Sequence, residues 1–275
     1  MKDFFGGTHL SHSPLFKTLL FSIEDHIATI RFNRPTAMNS FDKTMADELE
    51  TLTEQVKTDD TIRAVLLQGA GPLFMAGGDI RFFNDSLDTM PAGVMNIVRT
   101  LNASIINLMS MPKPVVGSVH GSVAGVGIGL MMACDVVIAA DNTKFVTAYS
   151  GIGITPDGGV TFNLPRLVGA KKAMEWILLS EPFDAHTAHA HGLINWVVPP
   201  DKLAEQTAQL LQRLVTGPTQ SYAHAKRLIN QTWQHSLETQ LEREGEAFAA
   251  CSITQDFKAG VQGFLQKTQP KFSGK

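Results

Sequence analysis

Cysteine is scarce in this chain: its 275 residues include two, Cys134 and Cys251, far apart and with no C-x-x-C pair. That excludes a disulfide framework and fits a reducing compartment. Basic charge is not in excess. Lys and Arg number 23 against 26 Asp and Glu, so a net charge of −3 offers nucleic acid no electrostatic footprint. Long apolar runs are missing as well: nothing approaches the roughly 18 consecutive apolar residues of a bilayer-spanning helix. The opening residues MKDFFGGTHLSHSPLF lack the uninterrupted apolar stretch of a secretion signal. The expectation is a soluble, cytoplasmic protein with neither a membrane nor a nucleic acid as partner.

Three familiar site motifs are absent too. Gly125 and Gly127 begin a G-x-G-x-x-G dinucleotide pattern, but its last position is Leu130. No Gly-Lys-Ser/Thr of a P-loop occurs, and no G-x-S-x-G nucleophile elbow. These absences point away from nicotinamide, ATP and serine-hydrolase chemistry.

What is present centres on Lys113–Asp135, KPVVGSVHGSVAGVGIGLMMACD. A β-like run (Val115, Val116, Val119) passes through Gly121, Gly125, Gly127 and Gly129 and closes on an apolar helical run, Leu130–Cys134. A glycine-rich turn at a helix start leaves backbone N–H groups without partners, partly positive and open to close approach. Such a turn can hold a phosphate or a developing oxyanion, or simply pack a helix against a sheet.

In chain order, residues 1–15 read as a loose leader. Leu19–Ile23 and Ile27–Phe32 read as strands around a Glu24-Asp25-His26 turn. Asn33–Asn39 is a loop, and Asn39 or Ser40 caps a helix with the apolar face Met45, Leu49, Leu52 and Val56. Ala64–Gln68 is a short buried strand leading through Gly69–Asp79, a second small-residue turn, into a helical segment. Asp79–Ala103, with Pro91 and Gly93, is expected to be mobile. Val136–Ala140 reads as a further strand, Lys144–Ala148 begins another segment, and Leu193–Val198 is strand-like within a mostly helical second half. Strand, glycine turn and helix thus recur at 64–90 and 113–134, as in coil-like stacking of β-β-α turns. The break at Pro199-Pro200-Asp201 divides a core, 1–200, from a helical region, 201–275, with Leu203, Leu210, Leu211 and Leu214 on amphipathic helices.

Four motifs stand in one register: Asn33-Arg34-Pro35 with Ala37 and Asn39; Phe74-Met75-Ala76-Gly77-Gly78-Asp79; Lys113-Pro114-Val115 through Gly121, Gly125 and Gly127; and Cys134-Asp135. Together, from about residue 18 to Lys275, they resemble the crotonase (enoyl-CoA hydratase/isomerase) superfamily. The resemblance implies an α/β fold, a crotonase-like spiral of repeated β-β-α turns with a helical C-terminal region for trimerisation or as a lid. It implies an acyl-CoA thioester as substrate, with coenzyme A as part of it and no separate cofactor. The amides of Gly78 and Val126 would bind the thioester oxygen as it becomes an enolate. Ala37, Met38, Phe74 and Ala76 would contact the CoA, and Asp79, Gly121, Gly125 and Tyr149 would border the substrate. Phe264 and Lys267 in the last helix would reach the CoA, often from a neighbouring subunit of a homotrimer or homohexamer.

Counting acids separates the chemistries. Hydratases of the superfamily carry two glutamates; the positions that match them here are Gly129 and Tyr149. One acid remains, Asp157 in Pro156-Asp157-Gly158-Gly159, where some isomerases of the superfamily use an acid. A single carboxylate can take a proton from C2 of a 3-enoyl thioester and return it at C4. Asp157 is therefore expected to be the general acid/base, its pKa raised by an apolar pocket for which Val126, Phe162 and Leu164 are candidates. The superfamily's dehalogenases place a histidine where Ile106 stands, and no histidine occurs between 27 and 119. The expected function is an acyl-CoA isomerase moving a double bond from C3 to C2. The alternatives are an enoyl-CoA hydratase and a non-catalytic CoA- or RNA-binding member. His186, His189 and His191 have no acid or cysteine nearby to complete a metal site, so no metal is expected. Asp135 is read as a local hydrogen-bonding residue and His120 as a packed histidine.

Overall fold

The computed structural model describes residues 16–85 and 92–275. The leader expected over residues 1–15 lies outside the described residues, as does 86–91 of the segment expected to be mobile. On either side of those residues the chain is helical, as expected after the Gly69–Asp79 turn.

Strands β1 (Leu19–Glu24) and β2 (Ile27–Phe32) form an antiparallel hairpin. Its two turn residues, Asp25 and His26, both have positive φ, +48° and +67°, as a two-residue turn matched to strand twist requires. A single helical turn at Pro35–Ala37 leads to α1 (Lys43–Thr58). The predicted apolar face holds: Met45, Leu49, Leu52 and Val56 are buried. Its cap is neither Asn39 nor Ser40 but Asp42, which accepts the Met45 N–H at 2.8 Å. Asn39 has another task. Its side-chain amide donates to the Ala70 and Leu73 carbonyls at 2.8 and 2.9 Å, and its Oδ1 accepts the Arg34 N–H at 2.8 Å. The first loop is thereby riveted to the turn after the next strand.

That strand is β3 (Ala64–Gly69), followed by α2 (Ile80–Asp85), α3 (Ala92–Ser110) and β4 (Val115–Val119). Then come β5 (Ser122–Ala124), α4 (Val126–Met132), β6 (Val136–Ala140) and β7 (Lys144–Val146). The order closes with α5 (Val160–Val168), α6 (Ala170–Leu179), β8 (Phe183–Asp184), α7 (Ala185–Ala190), β9 (Trp196–Val198), α8 (Leu203–Val215), α9 (Thr219–Gln231), α10 (Leu237–Ser252) and α11 (Gln255–Gln266).

The six-stranded sheet runs β1-β2-β3-β4-β6-β9, parallel from β2 onward. A second, three-stranded layer runs β5-β7-β8. Parallel bridges at Phe41–Gly78 and Met75–Val123 extend that layer backwards, so each turn of chain lays a strand in both layers before its helix. This is the expected spiral of β-β-α turns. Strand β3 shows why its sequence has no polar alternation: Val65 and Leu67 join the large core, while Ala64 and Leu66 meet Leu211 and Val215 of α8. The chain beyond Pro199-Pro200 thus first returns to the sheet, through α8, before running out into α9–α11. Ser118 and Thr207 seal that contact with a 2.9 Å hydroxyl pair.

Candidate active site

Two glycine turns abut at the end of the parallel sheet. A Cβ on Gly77 would stand 3.5 Å from the Ala124 carbonyl oxygen, and one on Gly125 would stand 3.4 Å from the Gly77 Cα. Their φ angles, +105° and +51°, are open to glycine at little cost. This contact sets Gly78 and Val126, the residues that follow, on one wall of a cavity. The Gly78 N–H and the Val126 N–H have no hydrogen-bond acceptor among the described residues. The bridge to Phe41 explains the first: Gly77 and Asp79 supply its hydrogen bonds, which turns the Gly78 amide away from Phe41. For the second, Val126 opens α4, where no preceding carbonyl is in reach.

The cavity has a volume of about 270 Å³ and a largely apolar wall. Phe83 of α2, Val94, Ile97, Val98 and Leu101 of α3, and Ile152 and Ile154 supply much of it. Sequence reading passed over these α3 residues, although their 3–4-residue spacing marks one face of a helix. Of the pocket residues it expected beside Asp157, Val126 is there. Phe162 instead lies on the surface, its ring 3.6 Å from the Arg166 guanidinium carbon, and Leu164 is in the core.

Asp157 borders the cavity, and among the described residues it is the one carboxylic acid that does so. Its Oδ1 accepts a hydrogen bond from the Tyr149 Oη at 2.9 Å. Burial pushes the Asp157 carboxyl above its ordinary value, partly offset by the Tyr149 hydrogen bond and by its own backbone N–H. The Tyr149 phenol is pushed up as well, by burial first and then by the Asp157 charge. Gly158 and Gly159 both take positive φ, +56° and +75°, and the Gly158 carbonyl packs onto Gly129 where a Cβ would otherwise stand.

The structure brings together Gly78, Val126, Asp157, Tyr149, Ala76 and Gly125, all on the cavity wall. The remaining predicted site residues lie elsewhere. Phe74 is fully buried, edge-on to Phe32 with ring centroids 5.3 Å apart. Gly121 lets the Pro72 carbonyl approach, with φ +66°. Ala37 and Met38 form the end of the first loop, Met38 exposed and its carbonyl accepting the Ala76 N–H at 3.1 Å. Asp79 points out of the cavity and pairs with Arg34 at 3.0 Å and Ser40 at 3.2 Å. Burial raises its carboxyl, but Arg34 and the Arg81 N–H outweigh that and hold it below the usual carboxylate value. Phe264 and Lys267 stand exposed on and after α11 and do not border this cavity.

Asp135 bonds across the fold rather than locally. Asp135 accepts the Val115 N–H at 2.7 Å and pairs with Lys226 at 2.8 Å, anchoring α9. His120 bonds to the Gly71 carbonyl at 2.9 Å, and His191 sits edge-on to Trp176. Among the described residues no three metal-binding side chains gather, and no helix is long and apolar enough to cross a membrane.

Comparison with known proteins adds a family to this geometry. A family described as enoyl-CoA hydratase/isomerase matches residues 22–275. The chain is 38% identical to the 1,2-epoxyphenylacetyl-CoA isomerase of Escherichia coli strain K12, over 95% of this chain and 100% of that one. It is 32% identical to the crotonyl-CoA hydratase of Syntrophomonas wolfei, over 94% of this chain and 99% of the relative. Among solved structures, an enoyl-CoA hydratase/isomerase from Mycobacterium abscessus superposes with a TM-score of 0.89 at 34% identity, covering 94% of this chain and 100% of its own.

Proposed function

The chain belongs to the enoyl-CoA hydratase/isomerase family of enzymes, and from that premise we propose that it is an acyl-CoA isomerase moving a carbon–carbon double bond from C3 to C2. The observation that carries this reading is the single acid. Asp157 alone among the described residues offers a carboxylate to the cavity, and Gly129 has no room for a second.

The chemistry needs one base that becomes an acid. The Asp157 carboxylate takes a proton from C2 of a 3-enoyl thioester, and the C–H electron pair moves through C1 onto the thioester oxygen. The Gly78 and Val126 N–H groups receive that oxygen; donors held ready at a developing oxyanion are worth about 3 kcal/mol each. The protonated Asp157 then delivers the proton to C4, the double bond settles between C2 and C3, and the carboxylate is restored. The raised pKa of Asp157 brings it nearer the working range of a proton shuttle. The aliphatic wall of α3 keeps water from quenching the intermediate. Coenzyme A enters as part of the substrate, and no other cofactor is used.

A hydratase is the second reading, favoured by relatives such as the crotonyl-CoA hydratase. It would have to activate water with Asp157 alone. In either reading we propose that the chain works as a homotrimer or homohexamer in the cytoplasm. The apolar side chains that α9–α11 expose, among them Leu237, Phe248 and Leu265, suit packing between subunits.

A spectroscopic assay decides between the readings. Purified protein and its Asp157→Asn variant are given a 3-enoyl-CoA, a 2-enoyl-CoA in water and, for the 38% identical relative's sake, 1,2-epoxyphenylacetyl-CoA. Isomerisation of the 3-enoyl thioester that vanishes in the variant is the expected result. Hydration of the 2-enoyl thioester without isomerisation overturns it.

A further inference from the structure

Tyr149 and Asp157 are the two titratable residues on the cavity wall among the described residues, and they face each other. Backbone features aim the tyrosine. Ala148, immediately before it, is held at φ +64°, a left-handed conformation that residues other than glycine seldom adopt. Immediately after it, the Tyr149 carbonyl accepts the Ile152 and Ile154 N–H groups at 3.1 and 3.2 Å. Tyr149 as a whole is left 5% exposed, with its hydroxyl 2.9 Å from Asp157 Oδ1. Asp157 is gripped from its own side, its carbonyl accepting the Val160 N–H at 3.1 Å and its neighbour Gly158 seated on Gly129.

We propose that Tyr149 is a positioning residue for Asp157: its phenol anchors Oδ1, so that Oδ2 alone exchanges the proton with substrate, and it contributes no base of its own. The inference deepens the isomerase reading and rests on it. A carboxylate turns broadly about its last side-chain torsion, and a shuttle that serves both C2 and C4 gains from losing that freedom. The phenol can do this without adding a second base, because burial and the Asp157 charge both keep its proton in place. Among the described residues, the other elements that line the cavity bring no competing charge. Val126 of α4 and Leu101 and Ile105 of α3 surround Gly158, and all are apolar.

Tyr149→Phe removes the hydroxyl and keeps the ring, so packing is preserved. The expected result is a kcat on 3-enoyl-CoA lowered by about 10- to 100-fold at unchanged KM, the scale of a slightly misplaced catalytic group. The acidic limb of the pH–rate profile is expected to move upward, since the carboxylate loses a donor. In parallel, ¹³C-carboxyl NMR follows Asp157 directly, its signal identified by loss in Asp157→Asn; its midpoint should rise in Tyr149→Phe. An unmoved midpoint, or a moved midpoint with kcat intact, overturns the proposal. If the wild-type protein fails to turn over 3-enoyl-CoA, the isomerase reading falls by that assay alone. The NMR titration needs no substrate and still decides whether Tyr149 anchors Asp157.

Discussion

The carbonyl of Gly158 occupies the space that a Cβ on Gly129 would need. The turn that presents Asp157 can therefore close onto α4 only while position 129 has no side chain. The same contact that brings an acid in from one loop keeps an acid out of the helix.

Gly129→Ala should consequently damage both fold and site. Backbone against Cβ cannot be relieved by a rotamer change, so the expected loss is about 1–3 kcal/mol in urea unfolding. Isomerase activity should fall with it, because the Asp157 turn must retreat. Gly129→Glu should not create a hydratase; efficient hydration by that variant would refute the steric account.

Asp157→Asn should lower kcat by about 10²–10⁴-fold, the usual weight of a positioned general acid/base. Stability at neutral pH should not fall. A carboxyl whose folded pKa lies above the ordinary 3.8 opposes folding once it ionises, and the amide relieves that opposition. A thermal scan at pH 7 showing a clear loss of stability would contradict this.

The pH dependence follows from the same carboxyl. Its ionised form is the base, so kcat/KM should rise with pH along a limb displaced above the ordinary carboxylate value. A profile flat down to the range of an unperturbed aspartate would place the base elsewhere.

Arg34 and Asp79 tie the first loop to the turn that carries Gly78. Asp79→Asn should cost about 1 kcal/mol at pH 7, a typical hydrogen-bond contribution, and lower kcat by loosening the Gly78 amide. Because the folded Asp79 pKa is depressed from 3.8, its contribution is complete above that value and disappears as pH falls through the lowered one. Unfolding curves of wild type and variant should therefore converge in acid.

Lys226→Met tests the pin between α9 and the sheet. The Lys226 side chain is only 8% exposed and also donates to the Leu108 carbonyl at 2.7 Å, so its loss leaves Asp135 without a counter-charge. The expected cost is about 3 kcal/mol, with much of it recovered in the Lys226→Met, Asp135→Leu double variant. Equal stability of the two variants would show the pair to be uncoupled.

Much of the fold is legible locally. Strands β2, β4 and β6 emerge at or near their predicted bounds because short apolar runs between turn residues have few other uses. Helix α1 is legible because a 3.6-residue period shows its buried face. The three-residue strand β5 carries too little pattern to read, whereas β9 falls within the strand-like Leu193–Val198, and the spiral's second layer exists only through pairings between distant turns. In the site, Gly78, Val126 and Asp157 could be named from their motifs. Asp79 and Phe74 share a motif with Gly78, yet one faces Arg34 and the other the core, because successive residues of an extended turn point to opposite sides.

The sequence by itself determined which chemistry is available: backbone amides at two glycine turns, one acid near them and, as its resemblance to the superfamily implies, no glutamate at the positions that match a hydratase's pair. Those are matters of residue identity. Only the tertiary structure decided that Tyr149 donates to Asp157, that α3 supplies the apolar wall, and that Gly158 fills the place of a Gly129 side chain. Each of these is a distance between parts of the chain set by how one turn of the spiral stacks on the next, and no local pattern of residues encodes that distance.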